Sequence, residues 1–391
     1  MKKIVQKLLY VTNYKILMKN NILFESSPDF SDNTKAIYDK LVELDYNKKF
    51  KLIWIVTSNR FENIKIKNVV FINKNKNLIS KLKYIYYRVF SKYIIDCNRY
   101  IKKINKNQLR IHLTHGEPLK IPREYCSYCG IIDYIISQSV YYNDILSELY
   151  NVKKNHIIPI GFPRNDVLFD KTKQCELFPI IDRKKTILWM PTYRNHKSYS
   201  NVNNNSFNTG VKFPFGVPCI STENELIKLN GFLKEKEILL VLKLHPAEDT
   251  SFMKNKDLSN IKLLNNDSIK QNETIYNYLV KTDALITDYS SIYFDYLLVD
   301  KPIGLAIPDI EEYKKHVELL FDDYTGNIPG QQIYTFNDLC DFINNVSNGI
   351  EIDKELRKEK TKLYHKYIDG NSSKRLEEFF SKIINGEKNE K

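Results

Sequence analysis

The sequence predicts an α/β chain built on two parallel sheets with helices on both faces. Short apolar runs of strand length alternate with longer helical patterns along the chain, an order that sets parallel strands side by side with helices as crossovers. The runs fall into two sets, parted around Asp170–Arg183, where the patterning lapses before a new strand begins. A length of 391 residues suits two domains of ordinary size.

The first set of strands is Ile22–Phe24, Leu52–Val56, Val69–Ile72, Tyr93–Ile95, Arg110–Thr114, Tyr134–Ser137 and Ile157–Ile160. The second is Thr186–Met190, Leu239–Leu244, Ile261–Leu263, Ala284–Thr287 and Ile303–Ala306. Between them lie helical patterns at Thr34–Leu44, Val140–Leu149, Glu223–Glu235, Ile275–Val280 and Ile292–Leu298, and Ser372–Lys391 reads as a charged amphipathic helix with a ragged tail. Asn195–Pro218 is polar and aperiodic and reads as a long loop. The domains are placed at 1–175 and 176–391, with the C-terminal helix expected to pack back on the first.

Composition narrows the classes. Hydrophobic residues make up 42% and charged residues 27%, enough apolar material for full cores, so general disorder is excluded. No apolar run approaches the ~18 residues of a membrane span. The N-terminal stretch lacks the apolar core of a signal peptide, because Asn13 and Lys15 interrupt it. The expected location is cytoplasmic. Charge is lopsided: residues 1–170 hold 29 basic and 15 acidic residues, and the remainder 31 and 32. A basic half facing an anionic surface and a lysine-rich solvated surface both account for this. Of the six cysteines only Cys126 and Cys129 form a C-x-x-C pair, with neither the second pair of a zinc site nor a thioredoxin-like frame around it, so all read as ordinary thiols. The segment Lys81–Lys103 mixes cations with aromatics. It is read as a core helix at Leu82–Phe90 followed by a buried strand, with a lipid-headgroup interface as the alternative.

In open parallel sheets ligands bind beyond the carboxyl ends of the strands. There the sequence places His115-Gly116-Glu117-Pro118-Leu119-Lys120, Gly161-Phe162-Pro163-Arg164-Asn165-Asp166, Pro191-Thr192-Tyr193-Arg194, Lys243-Leu244-His245-Pro246 and Asp288-Tyr289-Ser290-Ser291. Gly116 permits a close backbone approach, and a neutral His115 can take a proton from a hydroxyl. His245 can donate to a phosphate oxygen, and Arg194 can pair a phosphate bidentately. Ser290 and Ser291 open a helix, where they either meet a phosphate or simply cap. There is no Walker-type or dinucleotide glycine loop, no nucleophile elbow and no Asp-x-Asp pair, so phosphate must be held by helix starts, hydroxyls, His and Arg.

Taken in order, these blocks resemble the CDP-glycerol glycerophosphotransferase family of teichoic acid and capsular polymer synthesis. The resemblance also uses Phe294-Asp295, Lys301-Pro302 and Asp369-Gly370-Asn371-Ser372-Ser373-x-Arg375, with a weaker echo in Phe24-Glu25-Ser26, Asp32-Asn33 and Lys35-Ala36-Ile37-Tyr38, and spans about residues 20–380. It implies a GT-B-like fold of two Rossmann-like domains with parallel sheets facing a central cleft. It implies transfer of a polyol phosphate, glycerol phosphate first, from a CDP-linked donor to a hydroxyl of a lipid-linked or capsular acceptor, releasing CMP. By resemblance His115 and His245 are catalytic. Gly116, Lys120, Arg164, Asp166, Thr192, Arg194, Lys243, Asp288, Ser290 and Ser291 bind substrate. No motif implies a cofactor or a protein-held metal, although Mg²⁺ can accompany the pyrophosphate. Glu117 stands where the family usually has Thr, and is expected to orient His115 or reshape the acceptor pocket. Peripheral contact with the inner face of an anionic membrane would rely on the basic half, and no nucleic-acid partner is expected. A GT-B transferase using a nucleotide sugar and a non-enzymatic binder of anionic polymers are the alternatives.

Overall fold

A computed structural model describes residues 17–386 apart from 62, 99–100, 122–129, 176–183, 197–206, 209–210, 212, 246, 254–255, 266–268 and 270–272. The chain divides into two compact units. The first takes residues 1–117, 122–169 and 364–391; the second takes 118–121 and 170–363.

The first unit is built on a seven-stranded sheet: β1 Lys19–Ser26, β2 Lys51–Val56, β3 Val69–Asn73, β4 Ser91–Cys97, β5 Leu109–His112, β6 Tyr134–Ser137 and β7 Ile157–Pro159. Their order is β3-β2-β1-β4-β5-β6-β7, and every pairing is parallel. β2 shows why these segments become strands. Its Leu-Ile-Trp-Ile-Val run is buried throughout, as a strand covered on both faces requires. Helix α1 (Asp32–Glu43) follows β1 and buries Thr34, Ile37, Tyr38 and Leu41 at helical spacing. Strand β5 is fixed to β4 inside the sheet by a fully buried Arg110–Asp96 pair at 2.7 Å. Breaking such a pair costs about 3–5 kcal/mol, so the strand that leads to His115 has a firm base.

Helix α2 (Leu78–Phe90) begins at Asn77, whose side chain accepts the Ser80 N–H. The reading of this segment holds in part: the buried strand follows as β4, but the helix meets a core along its inner side alone, where Tyr84 and Tyr87 pack on Leu23 and Ile53. Val89 is its single buried residue, and Leu78, Ile79, Leu82, Ile85 and Tyr86 are exposed. Helix α3 (Asn143–Tyr150) is preceded by a 3₁₀ turn at Val140–Tyr142, which together fill the expected Val140–Leu149.

The second unit carries a six-stranded sheet: β8 Lys185–Trp189, β11 Ile238–Leu242, β12 Ile261–Leu263, β13 Ala284–Thr287, β14 Ile303–Ala306 and β15 Gln331–Ile333. The order is β12-β11-β8-β13-β14-β15, again all parallel. Within the expected long loop, two-residue strands β9 (Asn195–His196) and β10 (Phe207–Asn208) pair antiparallel. Helices α4 (Glu223–Glu235) and α6 (Phe336–Asn348) each open on a capping box, Thr222 with Glu225 and Thr335 with Asp338. Between them α5 (Ile292–Leu297) is buried along its whole length. Leu226, Leu229, Leu233, Leu339, Phe342 and Ile343 from the two capped helices join the core of this sheet.

Helix α7 (Ser372–Ile384) belongs to the first unit, where Leu376, Phe379 and Phe380 enter the core with Ile22, Phe24 and Trp54. Gly161 makes its docking possible. It sits left-handed at φ 84°, and a Cβ there would lie 2.4 Å from Ser372 Oγ. Cys126 and Cys129 lie outside the described residues.

Candidate functional site

Each sheet reverses its strand order once, between β1 and β4 in the first unit and between β8 and β13 in the second. Such switch points open crevices at the strand ends. The segments singled out in the sequence sit at or beside both.

In the first unit, His115 lies just beyond β5 and is exposed, while the Asp32 carboxylate beneath it is almost wholly covered. His115 Nδ1 lies on Asp32 Oδ2 in a short contact, and Arg164 Nη1 donates to Asp32 Oδ1 at 2.7 Å. A carboxylate only accepts, so Nδ1 carries the proton and Nε2 is the basic nitrogen. Burial pushes the Asp32 carboxyl up, but the Arg164 charge and the His115 hydrogen bond outweigh it and hold it well below the usual carboxylate range. Asn33 completes the frame: its Nδ2 donates to the Thr114 carbonyl at 2.8 Å, and its Oδ1 accepts the Arg164 N–H at 3.0 Å. The start of α1 therefore fixes both the strand end that bears the histidine and the arginine that charges its partner.

Three expectations change here. Glu117 does not orient the histidine. It is buried, and its Oε1 accepts the Gln138 N–H at 2.5 Å; Asp32 holds His115 instead. Arg164 is buried with its guanidinium on Asp32, so its place is beneath the histidine. Asp166 accepts the N–H groups of Ser372 at 2.8 Å and Ser373 at 2.7 Å. Both its oxygens cap α7, which is a scaffolding contact. Gly116 is half-buried next to His115.

Asp32, Cys97 and His115 offer ligand atoms within 4.8 Å of one another. Their chemistry does not suit a cation. The Arg164 charge sits on the shared carboxylate, and burial pushes the Cys97 thiol up so that the sulfur keeps its proton.

In the second unit, Arg194 follows β8 and is buried between two carboxylates. Its Nε and Nη2 reach Asp309 at 2.8 and 3.1 Å, and its Nη1 reaches Asp288 at 2.7 Å and the Thr192 carbonyl at 2.7 Å. The guanidinium also faces the rings of Tyr289 and Tyr313, which stack on each other at 3.8 Å. The expectation of a bidentate phosphate ligand is therefore overturned: the fork of Arg194 already grips Asp309. Asp288 in turn accepts the Thr192 N–H at 2.9 Å. Lys120 is half-buried on the short segment 118–121 that belongs to this unit. Burial pushes its pKa down to about 8, opposed by Asp288 and assisted by Arg194.

His245 lies beyond β11 and stacks on Tyr193, ring centroids 4.5 Å apart and 12° from parallel. Its Nδ1 accepts the Ala247 N–H at 3.2 Å. In the neutral ring the proton then sits on Nε2, which makes that nitrogen a donor. Burial and the Lys243 charge push its pKa below the usual imidazole value, favouring the neutral form. Lys243 is half-buried, and burial lowers its pKa as well. Ser290 and Ser291 are half-buried at the start of α5, and Ser291 makes no side-chain cap bond.

The family model described as CDP-glycerol:poly(glycerophosphate) glycerophosphotransferase matches residues 8–382. The chain belongs to this family. The teichoic acid poly(glycerol phosphate) polymerase of Bacillus spizizenii W23 is 28% identical over 84% of this chain and 84% of its own. The teichoic acid glycerol-phosphate primase of Bacillus subtilis 168 is 28% identical over 91% of this chain and 90% of its own. The solved structure of the wall teichoic acid polymerase TagF superposes with a TM-score of 0.73 at 22% identity, covering 97% of this chain and 93% of that one. The family, the two-domain α/β fold and the transferase class expected from the sequence all stand for this glycerophosphotransferase family member. Asp309 and Tyr313 are the site neighbours that motif reading missed, and Tyr193 and Tyr289 stood inside motifs with no role given to them. Asp32 appeared only in a weak echo, because Asp at a helix start reads first as a capping residue.

Proposed function

We propose that the protein transfers a polyol phosphate from a CDP-linked donor to a hydroxyl of a teichoic-acid-type acceptor. The observation that carries the reading is the exposed His115 with its Nδ1–H on the buried Asp32 carboxylate, in a chain of this family. His115 Nε2 takes the proton of the acceptor hydroxyl. The freed oxygen attacks the phosphorus that bears the polyol. The bond from that phosphorus to the bridging oxygen breaks, and CMP leaves. His245 Nε2–H donates to the departing phosphate, where charge accumulates. Lys120, Lys243, Ser290 and Ser291 hold the donor phosphates. Arg194, Asp288 and Asp309 keep the loops after β8 and β13 in place beneath them.

The acceptor is a polyol-phosphate chain or capsular glycan on a lipid carrier, which places the enzyme at an anionic membrane face. The reading needs no resident cofactor; a divalent ion paired with the donor pyrophosphate arrives with the substrate.

CMP release by the purified protein tests the reading, with CDP-glycerol and CDP-ribitol offered separately, with and without a polyol-phosphate acceptor. Acceptor-dependent CMP from one donor is the expected result and names the polyol. No CMP from either donor, with teichoic and capsular acceptors both supplied, sinks the reading.

A further inference from the structure

The block Asp369–Arg375 carries no group that the transfer step uses, yet several of its polar groups meet on one turn. That turn runs from Ile160 to Asp166, just beyond β7, and presents Arg164 between its ends. At the first end, Arg375 Nε donates to the Ile160 carbonyl at 3.0 Å. At the last end, the Ser372 and Ser373 N–H groups donate to the Asp166 carboxylate. Arg375 is itself fixed. Its Nη1 and Nη2 grip Asp369 at 2.7 and 2.9 Å, and its guanidinium lies 3.8 Å from the centre of the Tyr367 ring. Between the ends, the start of α1 holds Arg164: Asn33 Oδ1 accepts its N–H, and Asp32 Oδ1 accepts its Nη1–H. Burial of Leu376, Phe379 and Phe380 already keeps α7 on the sheet, but apolar burial has no direction. Hydrogen bonds do, and those at the start of α7 fall on the turn that carries Arg164.

We propose that Arg375 and Asp166 are positioning residues for the base: by holding the two ends of this turn they set the Arg164 guanidinium on Asp32, and through Asp32 the direction and tautomer of His115. The inference rests on the reading of His115 as the base. A guanidinium meets a carboxylate in a narrow range of directions, so a tilt of the turn lengthens the 2.7 Å contact of Arg164 Nη1 with Asp32 Oδ1. Asp32 then loses the charge that keeps it ionised and oriented. His115 is exposed, so packing contributes little to its direction, and the ring follows the carboxylate. A misplacement of about 1 Å at a reacting group costs about 10²-fold in rate, and a loosened turn displaces the ring by less.

Two readouts test it, one of them independent of turnover. With ¹⁵N-labelled histidine, the His115 Nδ1–H resonance is assigned by its loss in His115→Ala. It is expected in the wild type and should weaken through exchange with water in Arg375→Met and in Asp166→Asn. Both variants should lower kcat for CMP release by about tenfold and leave the donor dissociation constant close to wild type. Arg375→Lys, which keeps a cation and a donor, should show a smaller loss of the same kind, even where Arg375→Met does not fold. In an Asp32→Asn background, Arg375→Met should cost less than about twofold more, because the contact it serves is already weakened. If the Nδ1–H signal and kcat of the variants match the wild type, the block only docks the helix and the proposal is overturned. The same follows if the losses of Arg375→Met and Asp32→Asn multiply, as a general loosening of the fold would make them. If the signal responds but His115→Ala still turns over, the positioning stands and the base reading falls.

Discussion

Two histidines stand at strand ends in two different sheets, and their surroundings prepare them for opposite tasks. His115 gives its Nδ1 proton to a buried carboxylate, which leaves Nε2 basic. His245 receives a backbone N–H on Nδ1, which leaves Nε2 a donor. The first ring is held by charge, through Asp32 and Arg164. The second is held by a stack on Tyr193 and sits beside the Lys243 cation, which together with burial favours its neutral form. The residue type is the same; the partner of one nitrogen assigns the role. The lesson carries to any pair of histidines in a site: the atom opposite Nδ1 is the first thing to establish.

The comparison breaks most sharply at the base. His115→Ala should lower kcat by about 10³–10⁴, at the upper end of what a positioned base contributes. Asp32→Asn should lower it by about 10², since the imidazole survives but its charged partner does not. Both should leave the donor dissociation constant, measured by calorimetry, close to wild type. Near-normal turnover in His115→Ala would show that the exposed histidine is not the base. Because Asp32→Asn also leaves Arg164 beside a neutral group, its thermal midpoint should be recorded alongside its kinetics.

The donor histidine offers a smaller, sharper test. His245→Ala should cost about 10²-fold in kcat, and His245→Gln, which keeps an N–H to offer, should recover part of the loss. Equal loss in both variants would mean that the ring acts through its stack on Tyr193 rather than through Nε2–H.

The smallest effect is a pH dependence. Burial has pushed Lys120 down to about 8, so its charge is largely present at pH 7 and is lost as pH rises through that value. The KM for the donor should therefore climb several-fold between about pH 7 and pH 9. Lys120→Arg, which keeps its charge, should flatten the climb. A KM that rises identically in both proteins would remove Lys120 from the donor contacts.

The strands were legible because buried parallel strands are written as unbroken apolar runs, such as the Ile-Leu-Leu-Val-Leu of β11. Strand β15, Gln-Gln-Ile, was not, since an edge strand takes its conformation from its neighbour. Helix α2 shows a different limit. Spacing tells which residues share a face, and nothing in spacing tells whether that face is covered. In the site, the two histidines were visible as polar residues at strand ends. Their environments were not. Arg194 read as a phosphate ligand because the carboxylates that occupy it, Asp288 and Asp309, lie 94 and 115 residues further on. Glu117 read as the partner of His115 because it is two residues away, whereas the true partner is 83 residues upstream.

The order in which the chain is made bears on how it folds. The first unit is not complete when its sheet is: Leu376, Phe379 and Phe380 are part of its core, and the Asp166 carboxylate accepts the N–H groups of Ser372 and Ser373. The second unit is nearly contiguous, 170–363. During synthesis the later sheet can therefore close first, while the earlier one waits with an uncovered apolar face until α7 has left the ribosome. The unit whose residues are translated first should be the one that matures last, and the one that leans on chaperones while it waits.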